Sequence, residues 1–279
     1  MDKEPTGKPA DKPSGRSLRA AVITSVALLV IAIISALIGP LAFFILVVAL
    51  CTAALYELFN GLKQAGRRPF VLFALPAAIA MMTVAFFESF RLLGVVVAVT
   101  VFGSFLAALR PQRGATPMTD TAWTVLSVLW IGGGAAGAVA ILVLEDGIFL
   151  LIAFALSVAA DDIAAYFVGT RFGKHKMAPS ISPAKSWEGF AGGVAGALIG
   201  TYGFFVAAHG IAVLQGLGLG ILIGLLAPVG DLIESMAKRE IGIKDSGTLL
   251  PGHGGVLDRL DAIVFCAPFV FLYLRAIGL

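Results

Sequence analysis

The sequence is poor in charge. Only 13% of its 279 residues are Asp, Glu, Lys or Arg, about half the share in an ordinary soluble domain. With 59% apolar residues and a mean hydropathy of +0.97, a chain of this length cannot clothe a water-facing globule. A soluble enzyme, a disordered chain and a coiled coil are excluded on that ground. The apolar runs are continuous rather than alternating, which argues against an outer-membrane barrel. Cysteine is scarce as well. Cys51 and Cys266 both fall inside apolar runs, which argues against a structural disulfide, and two are too few for a zinc site.

What is present reads as a polytopic helical membrane protein. The expected fold class is all-α: an integral bundle of about nine transmembrane helices, each taking roughly 20 residues. Hydropathy puts them near 18–38, 40–59, 70–88, 91–109, 122–144, 147–168, 189–208, 211–230 and 261–279. Residues 1–17 form a polar, Pro/Gly/Lys-rich tail that cannot bury apolar area and is expected to be disordered. The run after Arg16 and Arg19 is too long for a signal peptide and no A-x-A site follows it, so an uncleaved first span is expected. Gly39-Pro40 makes the first turn. Small residues recur from Gly189 onward at a spacing that lets helices approach closely. The expected organisation is a tail, N-terminal membrane helices over 18–144, and a catalytic membrane region over 145–279 with active-site loops at 169–188 and 231–260.

Charge placement orients the bundle. With the N-terminus in the cytoplasm, only Arg91 and Arg275 of the 20 Lys and Arg residues lie toward the outer side, where the turns carry Glu88, Glu145 and Asp146. This positive-inside pattern implies an odd number of spans, N-in and C-out. The expected location is a bacterial inner membrane with the active site toward the cytoplasm.

Two polar segments carry more chemistry than a connector needs. The first holds Asp161 and Asp162 inside an apolar run, then Lys174, His175, Lys176, and the turn Ser182-Pro183-Ala184-Lys185-Ser186. Adjacent acids in a span persist only if they pair, protonate or bind a cation; a structural ion pair is the plain alternative. Lys174, His175 and Lys176 read as positive-inside residues. Lys185, set among hydroxyls and exposed amides, suits a phosphate.

The second segment holds Asp231, Lys238, Arg239, Lys244, His253, Gly254, Gly255, Asp258, Arg259 and Asp261. If Asp258 and Asp261 start the last helix, they lie one turn apart on one face, and Asp231 ends the preceding span and can face them. Three carboxylates suit a hard divalent cation such as Mg²⁺. Acids interleaved with bases suit a metal-bound polyphosphate, the acids holding metal and the bases holding phosphate oxygens. The glycines around His253 allow close approach of backbone to a ligand.

At these residues the sequence closely resembles the phosphatidate cytidylyltransferase, or CDP-diacylglycerol synthase, family. The pattern is Ser235-x-x-Lys238-Arg239-x4-Lys244-Asp245-x-Gly247-x2-Leu250-Pro251-x-His253-Gly254-Gly255-x2-Asp258-Arg259-x-Asp261, over 27 residues. Asp162-x-x-Ala165-Tyr166-x-x-Gly169-x-x-Phe172-Gly173-Lys174 and Ser182-Pro183-x-Lys185-Ser186-x-Glu188-Gly189 resemble the family's preceding block. The motif similarity runs from about residue 155 to the C-terminus; the N-terminal half matches only as a bundle of spans. Ala237, Ser186 and Ile163-Ala164 depart from the usual family residues without loss of a charged position.

The resemblance implies transfer of the cytidylyl group of CTP to phosphatidate, giving CDP-diacylglycerol and pyrophosphate in phospholipid biosynthesis. It implies a metal held by Asp231, Asp258 and Asp261, with Asp162 as a fourth ligand. Lys185, Lys238, Arg239, Lys244 and Arg259 would hold phosphates of CTP and lipid. Ser186, Asp245, Gly254 and Gly255 complete the substrate-binding set, and His253 shapes the nucleotide loop. Mg²⁺, a second monovalent cation and a homodimer are also implied; nucleic acid is not a partner. The residues leave three other readings open: a transporter using Asp161 and Asp162, a cytidylyltransferase for another lipid phosphate such as an ether lipid, and a silent membrane protein. A CDP-alcohol phosphotransferase is disfavoured, since its Asp-Gly-x-x-Ala-Arg pattern is absent.

Overall fold

A computed structural model of the chain describes residues 18–109, 116–243, 246–247 and 254–279. The expected tail, and the site residues Lys244, Asp245 and His253, lie outside the described residues. Helix occupies each of the nine stretches read from hydropathy. In chain order the elements are α1 Leu18–Ile38, α2 Pro40–Gln64, α3 Val71–Phe86, α4 Phe90–Ala108, and α5 Pro117–Ser127, joined by a π-helical turn at Val128–Gly132 to α6 Gly133–Leu142. Then come α7 Gly147–Phe172, the strands β1 Lys176–Ala178 and β2 Ser182–Ser186, α8 Trp187–Thr201 with a π-helical extension Tyr202–Ala208, α9 Val213–Glu240 and α10 Leu257–Ala276.

Among the described residues six helical stretches are long and apolar enough to cross a membrane: Pro40–Gln64, Phe90–Ala108, Pro117–Leu142, Gly147–Phe172, Trp187–Ala208 and Val213–Glu240. α3 has only 16 residues, and α10 opens with Asp258, Arg259 and Asp261. The surface is apolar: Leu37, Leu72 and Leu214 are 82%, 95% and 81% exposed. A water-soluble monomer does not display apolar surface on that scale, whereas lipid is a matching solvent.

Two features differ from the sequence reading. The stretch expected as a loop at 231–260 opens with helix, because α9 runs unbroken to Glu240. Its polar end satisfies itself at helical spacing, Lys238 with Glu234 and Ser235 with Asp231. The loop expected at 169–188 contains an antiparallel hairpin, β1–β2, in which Lys176 pairs with Ser186 and Ala178 with Ser182. The bundle is therefore all-α in class, with one small hairpin at its polar end.

Glycines set the closest helix contacts. α7 and α8 meet along Gly189, Gly192, Gly193, Gly196 and Gly200, where an added Cβ would strike Ala165, Val168, Asp161, Ala160 and Ser157. α9 and α10 touch at Gly230, where a Cβ would lie 2.9 Å from the Asp261 carbonyl oxygen and 3.0 Å from the Ala262 Cα. That contact brings the acidic ends of the two helices together.

Candidate active site

Hairpin, α7, α9 and α10 converge at the polar end of the bundle. Lys185 extends from β2 to α9. Its Nζ lies 2.7 Å from Asp231 Oδ2 and donates to the Pro228 carbonyl at 3.1 Å. Asp231 also accepts from the Ser235 hydroxyl at 3.2 Å.

Asp231, Glu234 and Asp261 form a compact group of acids whose ligand oxygens all lie within 4.8 Å of one another. Glu234 and Asp261 are 2% and 8% exposed. Glu234 Oε2 accepts from Lys238 at 2.8 Å, while Oε1 is buried with no hydrogen-bond partner among the described residues. Two full charges 4.8 Å apart, the outer limit for this group, repel by about 3.5 kcal/mol at an effective dielectric near 20. Such a trio needs cations at hand, and Lys185 and Lys238 supply two.

Beside the trio lies a cavity of about 540 Å³, lined by Asp161, Asp162, Lys176, Ser182, Lys185 and Asp231 among others. Asp231 belongs to both cavity and trio. Asp162 feels the charges of Asp231, Lys185 and Arg259. Asp161 is buried against Gly193 with neither carboxylate oxygen hydrogen-bonded among the described residues.

The structure thus brings together Asp231, Asp261 and Lys185, with Asp162 on the cavity wall beside them. Asp258 turns elsewhere. Its Oδ1 accepts from Lys238 Nζ at 2.9 Å and from the Ser246 amide at 3.3 Å, and its Oδ2 accepts from the Gly255 amide at 2.8 Å. It shares Lys238 with Glu234; the sequence reading grouped Asp258 with Asp231 and Asp261, whereas the compact group of acids contains Glu234 in its place. Asp258 remains next to Glu234 of the trio, and its own oxygens find donors at the start of its helix.

Ser186, read as a substrate contact, caps α8, its Oγ accepting from the Gly189 amide at 3.2 Å. Arg239 donates from Nε to the Ile181 carbonyl at 3.4 Å, which ties α9 to the hairpin turn. Gly254 has a φ of +89°, a conformation that favours glycine, and Gly255 packs against Ser246 and Glu57. Arg259 sits beside Asp258 in the first turn of α10.

Two acids received no role in the sequence reading. Glu234 follows Asp231 by three residues, the spacing that made Asp258 and Asp261 conspicuous. Glu57, in α2, is a lone acid in an apolar run, and the rule applied to Asp161 and Asp162 would have flagged it.

The profile of the cytidylyltransferase family matches residues 19–277. The chain belongs to that family. The match takes in the N-terminal half, where the motifs had offered nothing. The phosphatidate cytidylyltransferase of Mycobacterium bovis is 32% identical over 93% of this chain and 93% of its own length. That of Bacillus subtilis is 30% identical over 92% and 97%. The protein of the same name from Haemophilus influenzae is 47% identical over a shorter stretch, 44% of each chain.

Proposed function

We propose that the chain transfers the cytidylyl group of CTP to phosphatidate, yielding CDP-diacylglycerol and pyrophosphate. The observation that carries the reading is the acidic trio Asp231, Glu234 and Asp261 held against Lys185 and Lys238 beside a cavity at one end of an apolar bundle. The names of the relatives supply the substrates. CTP is water-soluble and phosphatidate stays in the bilayer, so both can meet only where the bundle's polar end reaches the interface. We read the nine helical stretches, α5 and α6 counted as one, as spans, N-in and C-out, in the bacterial inner membrane with that end in the cytoplasm; the distribution of Lys and Arg supports this orientation.

A divalent cation fits the residues. Asp231, Glu234 and Asp261 offer hard oxygen ligands, one of them a buried oxygen lacking a partner among the described residues. These three would hold Mg²⁺, with Asp162 within reach of the same charge field. When bound, such an ion neutralises charge developing on the phosphate oxygens.

The chain's own residues perform the rest. A phosphate oxygen of phosphatidate is the nucleophile; it attacks the α-phosphorus of CTP in line and pyrophosphate leaves, so no covalent protein intermediate is needed. Lys185, released from Asp231 as phosphate enters, pairs with a phosphate oxygen. Lys238 and Arg259 stabilise the leaving pyrophosphate, and Asp258 holds Lys238 in place. Catalysis rests on positioning and charge neutralisation. The resemblance to the family further supports a homodimer and a second, monovalent cation. Light scattering of the detergent complex and K⁺ titration of the rate test these.

The deciding assay supplies phosphatidate, labelled CTP and Mg²⁺ to purified protein in mixed micelles, with and without EDTA. Metal-dependent CDP-lipid formation is expected. Folded protein that makes none from ester or ether acceptors would overturn the reading.

A further inference from the structure

Glu57 is a buried acid that the chemistry above leaves unused. It lies in α2, 3% exposed among apolar neighbours. Its Oε2 accepts from the Val256 amide at 2.6 Å and the Leu257 amide at 3.3 Å. These are the amides of the N-cap residue and of the first helical residue of α10, groups that have no carbonyl partner within the helix. The residue at the helix's N-cap is Val256, and no side chain there caps it. Glu57 supplies from a helix 199 residues away what a local Ser or Asp does in most helices, and its negative charge favours that end of the helix dipole.

The contact continues along α2. A Cβ on Gly255 would come within 2.6 Å of Glu57 Oε2, and one on Gly247 within 2.6 Å of its Cγ. One turn on, Gly61 lies under Ile243 and Ile241, where a Cβ would meet their methyls at 2.9 and 3.2 Å. α2 therefore grips both ends of the α9–α10 connection. From the Glu57 anchor the order runs to Gly255 and Ser246, whose amides bind Asp258, then to Lys238, and from there to Glu234 of the trio.

We infer that Glu57 is a positioning residue: it seats the start of α10 so that Asp258 and Lys238, and one turn later Asp261, stand correctly against α9. The inference rests on the proposed catalytic reading of the site, but half of its test does not. In the full-length protein, Glu57→Gln keeps shape and one acceptor and removes the charge. Melting within a few degrees of wild type is expected, with kcat lowered about tenfold or more, the usual scale for outer-shell partners, and KM for phosphatidate within about twofold. Hydrogen exchange at Val256 and Leu257 should quicken by roughly tenfold, with α7 and α8 unchanged. Unchanged exchange at those two amides, or wild-type kcat, overturns the inference. So does a loss of activity that only tracks loss of folded protein. If the Gln variant does not fold, Glu57→Asp, which keeps the charge and shortens the reach, is read by the same two measurements. An inactive wild type would sink the proposed reaction while the exchange data still decide whether Glu57 anchors α10.

Discussion

Asp231-x-x-Glu234 on α9 and Asp258-x-x-Asp261 on α10 are alike in sequence, two acids one turn apart near a helix end. The structure uses them differently. On α9 both acids enter the trio. On α10 only Asp261 does, while Asp258 faces Lys238 and two backbone amides. Both pairs have helical spacing, so spacing does not tell them apart. The difference lies in what surrounds each carboxylate. Asp258 is at the first turn of its helix, where the Ser246 and Gly255 amides donate to it. Glu234 lies in the last turns of α9, where it takes the Lys238 ammonium and neighbours the Asp258 carboxyl.

The comparison can be broken by mutation. The largest effect is expected from the trio. Asp261→Asn and Glu234→Gln should each lower kcat by about 10²–10³-fold, the scale seen when a group stabilising transition-state charge is removed, with the protein still inserted and folded. Turnover within a few-fold of wild type in both would remove the trio from the chemistry. Lys185→Ala comes next, at about 10²-fold, against less than about threefold for Lys174→Ala, since Lys174 contributes its backbone amide to Glu188 and its side chain reads as a surface charge. Equal losses would show that hairpin charge, not the Lys185–Asp231 contact, is what matters. Asp258→Asn should fall between trio and surface, about tenfold to a hundredfold. It should also lower the melting temperature, because Lys238 and the Gly255 amide lose a charged acceptor. An effect as large as that of Asp261→Asn, without loss of stability, would favour Asp258 as a metal ligand, as the sequence reading has it.

The smallest effects sharpen the comparison by separating packing from chemistry. Gly196→Ala inserts a methyl against the Ala160 carbonyl and Ala164 and should destabilise by about 1–3 kcal/mol. Gly203→Ala meets nothing within 4 Å and should be neutral or slightly stabilising. Thermal unfolding in one detergent measures both. A neutral Gly196→Ala would mean that the α7–α8 seam is looser than its geometry.

Much of the molecule was legible because lipid is a simple solvent. Continuous apolar runs gave nine helical stretches, and the structure has helix at each. The Gly189 to Gly200 series read as a packing face, and it packs on α7. Lys185 was singled out from its neighbours Lys174 and Lys176 by its hydroxyl-rich turn, and it alone of the three pairs with Asp231. The rest was not legible for reasons that are equally physical. The hairpin is held by long-range partners: Glu188 takes the Lys174 and His175 amides and the His175 ring, and Lys185 crosses to α9. α9 overran its apolar stretch because pairs at i,i+4 let its charged end remain helical.

The sequence by itself determined the class of solvent, the helices, the family resemblance and the set of charges from which the site is drawn. These follow from local composition and spacing, which the folded state cannot alter. Tertiary structure alone decided which charges meet. Gly230 admits α10 close enough for Asp261 to join Asp231, and Glu57 reaches across from α2 to cap a helix whose own first residue cannot. Electrostatic pairing depends on distance and desolvation, and both are set by how helices far apart in sequence pack.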